Sequence, residues 1–455
     1  MWLSGSQAEE RSDVAGDCAS SEPLVSPPGA LGLRTLRTRP WYRWVVFFVA
    51  NLAFMFGVMF VSLGLVVPDL MRDFSIEAQQ IGLLIAVYSY TYALMQIPGG
   101  LLADRVGPRR VMSAFLVLGG LGTFVFSRAP SFGVGLVART LTALGVSVLY
   151  VNQVKVLRGW FPPEKFATAM GIGSSISTIG SLLASPLLAA SVTHFGWRTT
   201  YAAAGLLNVA MAVVCWIIIR DRNPALVENA GETETEAMPS IRQALKTCLW
   251  NRQFIYLFFV ALLSYGGLMG FFQTWGLPFL MQGYGLSRVR AAWLMSGSWG
   301  ISLFSAPLWG HLSDKRLRAR KPVMLMGLVG TMLPVLLLAA LADKLNVLHV
   351  AVILCLQGIS ASALLLPYTM VNELVPASVS GVAAAGLNMG PYIGSGIYQA
   401  LSGFIMGSPA SYAADGTPIY TVAAYQSIFV PSVIAGLGAI LLGSFVKETL
   451  GKEPE

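Results

Sequence analysis

Charge is scarce in this sequence. Only 11% of its 455 residues are Asp, Glu, Lys or Arg, while 55% are hydrophobic. A soluble chain of this length would need two or three domains with polar surfaces, and such a composition cannot cover them. Histidine is nearly absent: His194, His311 and His349 lie near the ends of apolar runs, without metal-ligand spacing. Four cysteines (Cys18, Cys215, Cys248, Cys355) show no CxxC pattern, and three fall in or beside apolar segments, which excludes a disulfide framework and a zinc site. The N-terminus, MWLSGSQAEERSDVAG, lacks the basic-then-apolar order of a signal peptide. Without a Walker loop, an HExxH motif or a nucleophile–base constellation, an ATP-driven pump, a membrane protease or another enzyme is not expected, nor is a cofactor.

Apolar runs are abundant. Mean hydropathy is +0.65, and runs of about twenty residues recur, each able to cross about 30 Å of hydrocarbon. Reading them against their charged and Gly/Pro borders predicts twelve helices, at 43–68, 81–103, 109–127, 132–156, 165–192, 199–220, 253–282, 290–311, 322–342, 347–372, 378–407 and 423–446. The chain reads as an all-α membrane protein. Its net charge of +8 is scattered in short clusters between the runs, as orientation in a bilayer requires, and does not point to nucleic acid. One face takes most of the Lys and Arg, including Arg105, Arg109, Arg110, Lys155, Arg158, Arg220, Lys315, Arg316 and Arg320. The other keeps Arg72, Arg128, Arg198, Arg288, Arg290 and Lys344. This bias predicts cytoplasmic termini in a plasma membrane.

Residues 1–39, rich in Ser, Pro and Gly, read as a disordered cytoplasmic tail, and 448–455 as a second tail. The hydrophilic stretch 221–252, with Glu228, Glu232, Glu234 and Glu236 and no apolar period, reads as a cytoplasmic linker between halves at 40–220 and 253–447. GGLLADRVGPRRVM (99–112) and GHLSDKRLRARKPVM (310–324) then occupy equivalent places, so that Gly100 matches Gly310 and Asp104 matches Asp314. Two parallel six-helix pseudo-repeats follow, an architecture common among transporters.

The first of these stretches resembles the loop signature of the major facilitator superfamily, G-x-L-a-D-r-x-G-r-[RK], through Gly100, Leu102, Asp104, Arg105, Gly107 and Arg109, with Pro108 where a basic residue is usual. The resemblance implies the major facilitator fold and rocker-switch transport. Gly100 suits close helix contact, Gly107 a tight turn, and Asp104 a helix cap or a pair with a loop arginine. Gly100, Asp104, Arg105, Gly107 and Arg109, with Gly310, Asp314 and Lys315, are the candidate gating residues; the alternative is that they only fix topology.

Arg139 lies about 10 Å into the fourth run at 1.5 Å per residue. Such an arginine must face protein or a wet cavity. It resembles the arginine of a second superfamily motif, R-x-x-x-G-x-G, with Ala143 where the first Gly would stand. It reads as an anion-binding or coupling residue, or as a buried structural one. Tyr88, Tyr92 and Gln96 form a polar stripe at helical spacing. Asn51, Tyr265, Gln273, Gln357, Asn388 and Tyr392 complete the candidate binding set, with helix packing as their alternative. The stripe, with WFPPEKFATAMGI and GWRTTYAAAG, resembles the organic-anion symporter branch, which implies sugar acids or related carboxylates moved with H+ or Na+. Bacterial members of that branch often carry acids in the first and fourth helices, and here Asn51 is the nearest polar residue in the first. The expected function is secondary transport of a small organic anion by a monomer; the alternatives are a drug or metabolite exporter and a non-transporting sensor or assembly protein.

Overall fold

The computed structural model describes residues 41–59, 62–221, 241–376 and 378–451. The predicted tail at 1–39, most of the linker (222–240) and the last four residues lie outside them. Contacts divide the chain at Tyr42, and the unit from Arg43 onward carries everything below.

In the first half the helices are α1 (Tyr42–Met59), α2 (Val67–Phe74), α3 (Ala78–Val106), α4 (Pro108–Ser127), α5 (Phe132–Ser147), α6 (Leu149–Trp160) and α7 (Pro163–Ile218). The second half has α8 (Ile241–Trp250), α9 (Arg252–Thr274), α10 (Gly276–Tyr284), α11 (Arg288–His311), α12 (Lys321–Leu341), α13 (Val347–Ala361), α14 (Leu366–Leu374), α15 (Ser380–Met406) and α16 (Val422–Phe445). A two-residue hairpin, Ser411–Tyr412 against Pro418–Ile419, joins the last two.

Among the described residues, nine helical stretches are long and apolar enough to cross a membrane. One of these, Glu164–Ile218, runs for 55 residues, too long for a single crossing, and turns at Gly196 (φ +76°). It is therefore two spans, as the sequence predicts. Arg288–His311 and Ser380–Met406 have the length, 24 and 27 residues, but Arg, Ser and Gly dilute them. They are the helices that line the boundary between the halves, so they need less apolar surface. With these the fold has the twelve predicted crossings.

Several predicted helices are interrupted. The fourth bends at Val148, the seventh at Trp275 and the tenth through Ser362–Leu365. Within the predicted linker, Ile241–Trp250 is helical and buries Ala244 and Cys248, spaced one turn apart, against the second half. Too short for a span, this segment has only a narrow apolar face, which a search for long runs overlooks.

The two halves meet along α3 with α15 and α7 with α11. Close approach of α3 and α15 depends on facing glycines. A Cβ on Gly82 would stand 3.3 Å from the Gly403 Cα and closer still to the Gln399 carbonyl, so larger residues would force the helices apart.

Candidate functional site

The cores differ at the two ends of the bundle. At the end bearing Asp69, one apolar cluster runs through both halves, joining Leu63, Leu70, Trp197 and Tyr201 to Phe271, Trp275, Ala292 and Phe429. At the end bearing Asp314, the cluster from Ala244 to Val446 belongs to the second half alone.

Polar contacts follow the same division. Arg288 donates to Asp69 at 2.6 Å across the halves, both side chains being only about 15% exposed. Arg72 reaches Asp415 at 3.4 Å, the Tyr420 hydroxyl accepts from the Ala78 N–H at 3.0 Å, and Ser62 donates to the Gln273 carbonyl at 3.1 Å. Toward the bundle centre Ser89 donates to Gln399 at 2.9 Å and Asn388 to Gln96 at 3.0 Å. Among the described residues, polar contacts between the halves stop there, ten residues short of the end of α3 at Val106.

The superfamily-like clusters pair within their own halves. Asp104 accepts from Lys155 at 2.5 Å, and Lys155 also donates to the Gly100 carbonyl at 2.7 Å. Arg109 stacks on Trp216 (4.3 Å) and donates to its carbonyl at 2.7 and 2.9 Å, while its N–H donates to Asp221 at 2.8 Å. Thus Asp221, not Asp104, caps the start of α4, and Asp104 meets a helical lysine instead of a loop arginine. Asp314 does meet a loop arginine, Arg320, which also donates to Glu373 at 3.1 Å. Arg105 and Lys315 are exposed. Gly107 makes the expected turn at φ +93°. Gly100 and Gly310 do not serve close contact, since a Cβ at either meets nothing within 4 Å. Burial pushes the Arg320 guanidinium toward losing its proton, but its bonds to Asp314 and Glu373 outweigh this and raise its pKa.

Above the sealed end lies a cavity of about 610 Å³ lined from both halves. Its walls include Tyr88, Tyr92, Tyr265, Gln273, Trp299 and Tyr392. Tyr92 and Tyr392 stack across the boundary with ring centroids 4.1 Å apart. The helix α7 supplies Ser177, Thr178, Ser181 and Ser185, spaced so that they share one face. Thr178 and Ser181 each donate to the carbonyl one turn earlier at 2.9 Å, which satisfies their protons and turns their acceptor lone pairs toward the cavity. A smaller extension of about 180 Å³, lined by Met55, Met59 and Met295 among others, leads toward the sealed end.

Of the predicted binding residues, the structure brings Tyr88, Tyr92, Tyr265, Gln273 and Tyr392 together in this wall. Gln96 and Asn388 lie beside it and bond each other. Three lie elsewhere. Arg139, 2% exposed, sits behind Tyr88 with its guanidinium 4.6 Å from that ring. Asn51 is buried between helices, accepting from Gln153 at 2.7 Å. Gln357 faces a separate pocket of about 40 Å³ within the second half. A polar residue in a membrane helix can satisfy itself against a neighbouring helix as well as against a ligand, and the linear sequence does not separate the two.

Sequence reasoning missed the serine face of α7 and the Asp69–Arg288 pair. The first had a signal, the four-residue spacing in SISTIGSLLAS. The second had half of one, an acid directly after Val67–Pro68 at the end of an apolar run, but its partner lies 219 residues away.

The family model described as Major Facilitator Superfamily matches residues 46–315 and 257–454. The hexuronate transporter of Bacillus subtilis is 23% identical over 265 residues, 58% of this chain and 63% of that protein's length. The "Probable galactarate/D-glucarate transporter GudP" of Escherichia coli is 23% identical over 435 residues, 89% of this chain and 95% of that one. Among solved structures, a bacterial homolog to the human lysosomal transporter Spinster, inward-facing and unoccupied, superposes with a TM-score of 0.72 at 20% identity, covering 89% of this chain and 97% of that one.

Proposed function

Because this chain belongs to the Major Facilitator Superfamily, a family of membrane transporters, we propose that it is a secondary active transporter of a small anionic organic solute, working by rocker-switch alternating access. The moving bodies are the halves at 40–220 and 253–447, tied by the linker at 221–252. Both termini face the cytoplasm, and the membrane is a bacterial inner membrane.

The observation that carries this reading is the cavity between the halves, sealed at the Asp69 end and, among the described residues, without polar cross-contacts beyond Gln96 and Asn388. A solute held there touches both halves at once, so it can bind two arrangements with different strength, which any ligand-driven change of state requires. Charge asymmetry supports the assignment of the Asp69 end to the outside. On this reading the described arrangement opens inward.

A sugar acid fits the wall chemically. Its hydroxyls can donate to the acceptor face of α7, and its carbon skeleton can lie against Tyr92, Tyr392 and Trp299. Gln273 and the tyrosine hydroxyls can donate to the carboxylate. The cavity-lining side chains are uncharged, and Arg139, one ring behind the wall, gives the site a positive bias in a low-dielectric setting. The names of the two relatives support the same solute class.

The test is uptake of labelled hexuronate, galactarate and a neutral hexitol into proteoliposomes, with imposed proton or sodium gradients in separate arms. Saturable uptake of an acid, faster than of the hexitol and driven by one gradient, is expected. Tight binding of an acid without any uptake would favour a sensor instead.

A further inference from the structure

The smaller annex that leads from the main cavity toward the sealed end differs from it in chemistry. The two share Val58, Phe272 and Met295, and at their junction Ser62, Ser181 and Ser185. The residues that wall the annex alone are apolar: Met55, Met59, Leu65, Ala184, Leu188 and Leu277, with Gly64. Among the described residues that line it, none is charged. Leu65, Leu188 and Leu277, each 5% exposed, belong to the core cluster that closes the Asp69 end, so the floor of the annex is the seal itself.

Adaptable side chains shape this space. Met55 and Met59 come from α1 and Met295 from α11, so both halves contribute. A Cβ on Gly180 would collide with the Met55 sulfur, and one on Gly276 with the terminal methyl of Met295. Two glycines therefore leave the room in which these methionines sit. Methionine has three rotatable bonds and a polarizable sulfur, so it can close around an irregular occupant, and its sulfur favours contact with aromatic rings.

The annex has a volume of about 180 Å³. An engineered apolar cavity of about 150 Å³ stays dry and takes up benzene, so the space suffices for one six-membered aromatic ring. A sugar hydroxyl placed there would lose its water without finding a partner among Met55, Met59 and the leucines, which is costly. The main cavity, about 610 Å³, already lies in the range of about 300–1,000 Å³ that buries a drug-sized ligand, more than a six-carbon acid requires. Resting on the reading that the solute is a sugar acid, we propose that it is a conjugated one. The annex receives an aromatic aglycone, while the sugar ring stays on the serine face of α7. The substrate class is then an aryl glycoside of a uronic acid.

Isothermal calorimetry on the purified full chain tests this with two pairs of ligands: methyl and phenyl β-glucuronide, and the neutral methyl and phenyl β-glucoside. Full burial of a phenyl-sized group should make phenyl glucuronide bind roughly ten- to a hundredfold more tightly than its methyl counterpart. Ala184→Leu fills the annex and should bring that ratio close to one. Met59→Ala, which enlarges it, should raise the affinity for 1-naphthyl glucuronide relative to phenyl glucuronide, and serves if Ala184→Leu folds poorly. Equal affinity within each phenyl and methyl pair in wild type, or ratios that neither variant moves, would overturn the annex as a subsite. If neither glucuronide binds, yet phenyl glucoside exceeds methyl glucoside and Ala184→Leu removes the difference, the annex stands and the anionic reading fails. Failure of all four ligands to bind would overturn both.

Discussion

Arg288 and Asp69, 219 residues apart, form a 2.6 Å ion pair that joins the two halves where the cavity is sealed. Removing one partner of a buried pair costs about 3–5 kcal/mol, and partial exposure with Arg72 close by brings this to about 1–3 kcal/mol. If the pair holds the seal, Asp69→Asn should move the balance between states by on the order of tenfold toward opening at that end. Spin labels on Glu77→Cys and Tyr284→Cys, read by double electron–electron resonance, should show a longer-distance population. The reversal Asp69→Arg with Arg288→Asp should restore part of it, since Arg72 would then repel the new arginine. An unchanged distance distribution in Asp69→Asn would leave the seal to apolar packing alone.

The cavity wall yields a second prediction. Tyr92 and Tyr392 stack across the boundary, and such pairs contribute about 0.5–1.5 kcal/mol beyond their burial. Tyr392→Ala should therefore weaken binding of the proposed substrate, a sugar acid, by roughly tenfold and slow uptake. Ser181→Ala removes one acceptor and should cost several-fold in affinity for a polyhydroxylated solute, with little change for an analogue deoxygenated at one carbon. Isothermal calorimetry on the purified protein separates these cases; equal losses for both ligands would remove α7 from recognition.

The charged loop at 99–112 calls for a different experiment. Asp104 is 67% exposed and pairs within its own half, so Asp104→Asn should change stability by no more than about 1 kcal/mol. If the loop governs the gate, uptake should fall well below wild type while affinity stays within twofold or so, because the balance of states changes and the site does not. Normal uptake kinetics in a well-expressed variant would reduce the loop to a topology signal.

The fold was legible because each membrane helix must satisfy its own backbone and so writes a long apolar run into the sequence. Breaks at Val148 and Trp275 were not legible, since an interrupted helix remains as apolar as a straight one. Tyr92 and Tyr392 announced themselves by helical spacing and by the rarity of polar aromatics inside a span. Arg139 announced itself equally strongly, yet faces Tyr88 within one half. Burial cost identifies a residue that must be satisfied, but only tertiary packing says by what. Asp69 and Arg288 gave almost no signal, because at the ends of spans a charge is ordinary and its partner is set by the fold.

A pH effect is expected at the Asp314 end of the second half. Burial raises the pKa of Glu448, but the N–H donors of Arg320, Leu450, Lys321 and Thr449 outweigh it and hold the carboxyl below its usual value of 4.5. A group depressed on folding contributes stability above its unfolded value and loses it as pH falls through the folded one. Glu448→Gln should therefore lower the melting temperature at pH 7, and the difference from wild type should shrink as pH drops below 4.5. Differential scanning fluorimetry at both ends of that range checks it; a difference independent of pH would assign the clasp to shape instead of charge.

The last prediction asks whether Arg139 acts through its charge or only as a prop. Its guanidinium lies 4.6 Å from the Tyr88 ring, and Tyr88 lines the cavity, so the cation is one ring removed from any solute. Arg139→Ala would confuse the two roles, because deleting a large buried side chain costs about 2–5 kcal/mol through the hole it leaves. Arg139→Met keeps most of the volume and removes the charge. If the positive field behind Tyr88 helps to hold a carboxylate, Arg139→Met should weaken binding of a sugar acid by about tenfold, one charge interaction across a partly screened gap being worth roughly 1–2 kcal/mol. Binding of the matching neutral sugar alcohol should change little. Arg139→Lys should sit between wild type and Met for the acid, since it keeps the charge but not the planar stack on Tyr88. Calorimetric titration of both ligands into all three proteins decides it. Equal losses for acid and alcohol would make Arg139 a support for Tyr88, and the preference for anions would then have to come from Gln273 and the tyrosine hydroxyls.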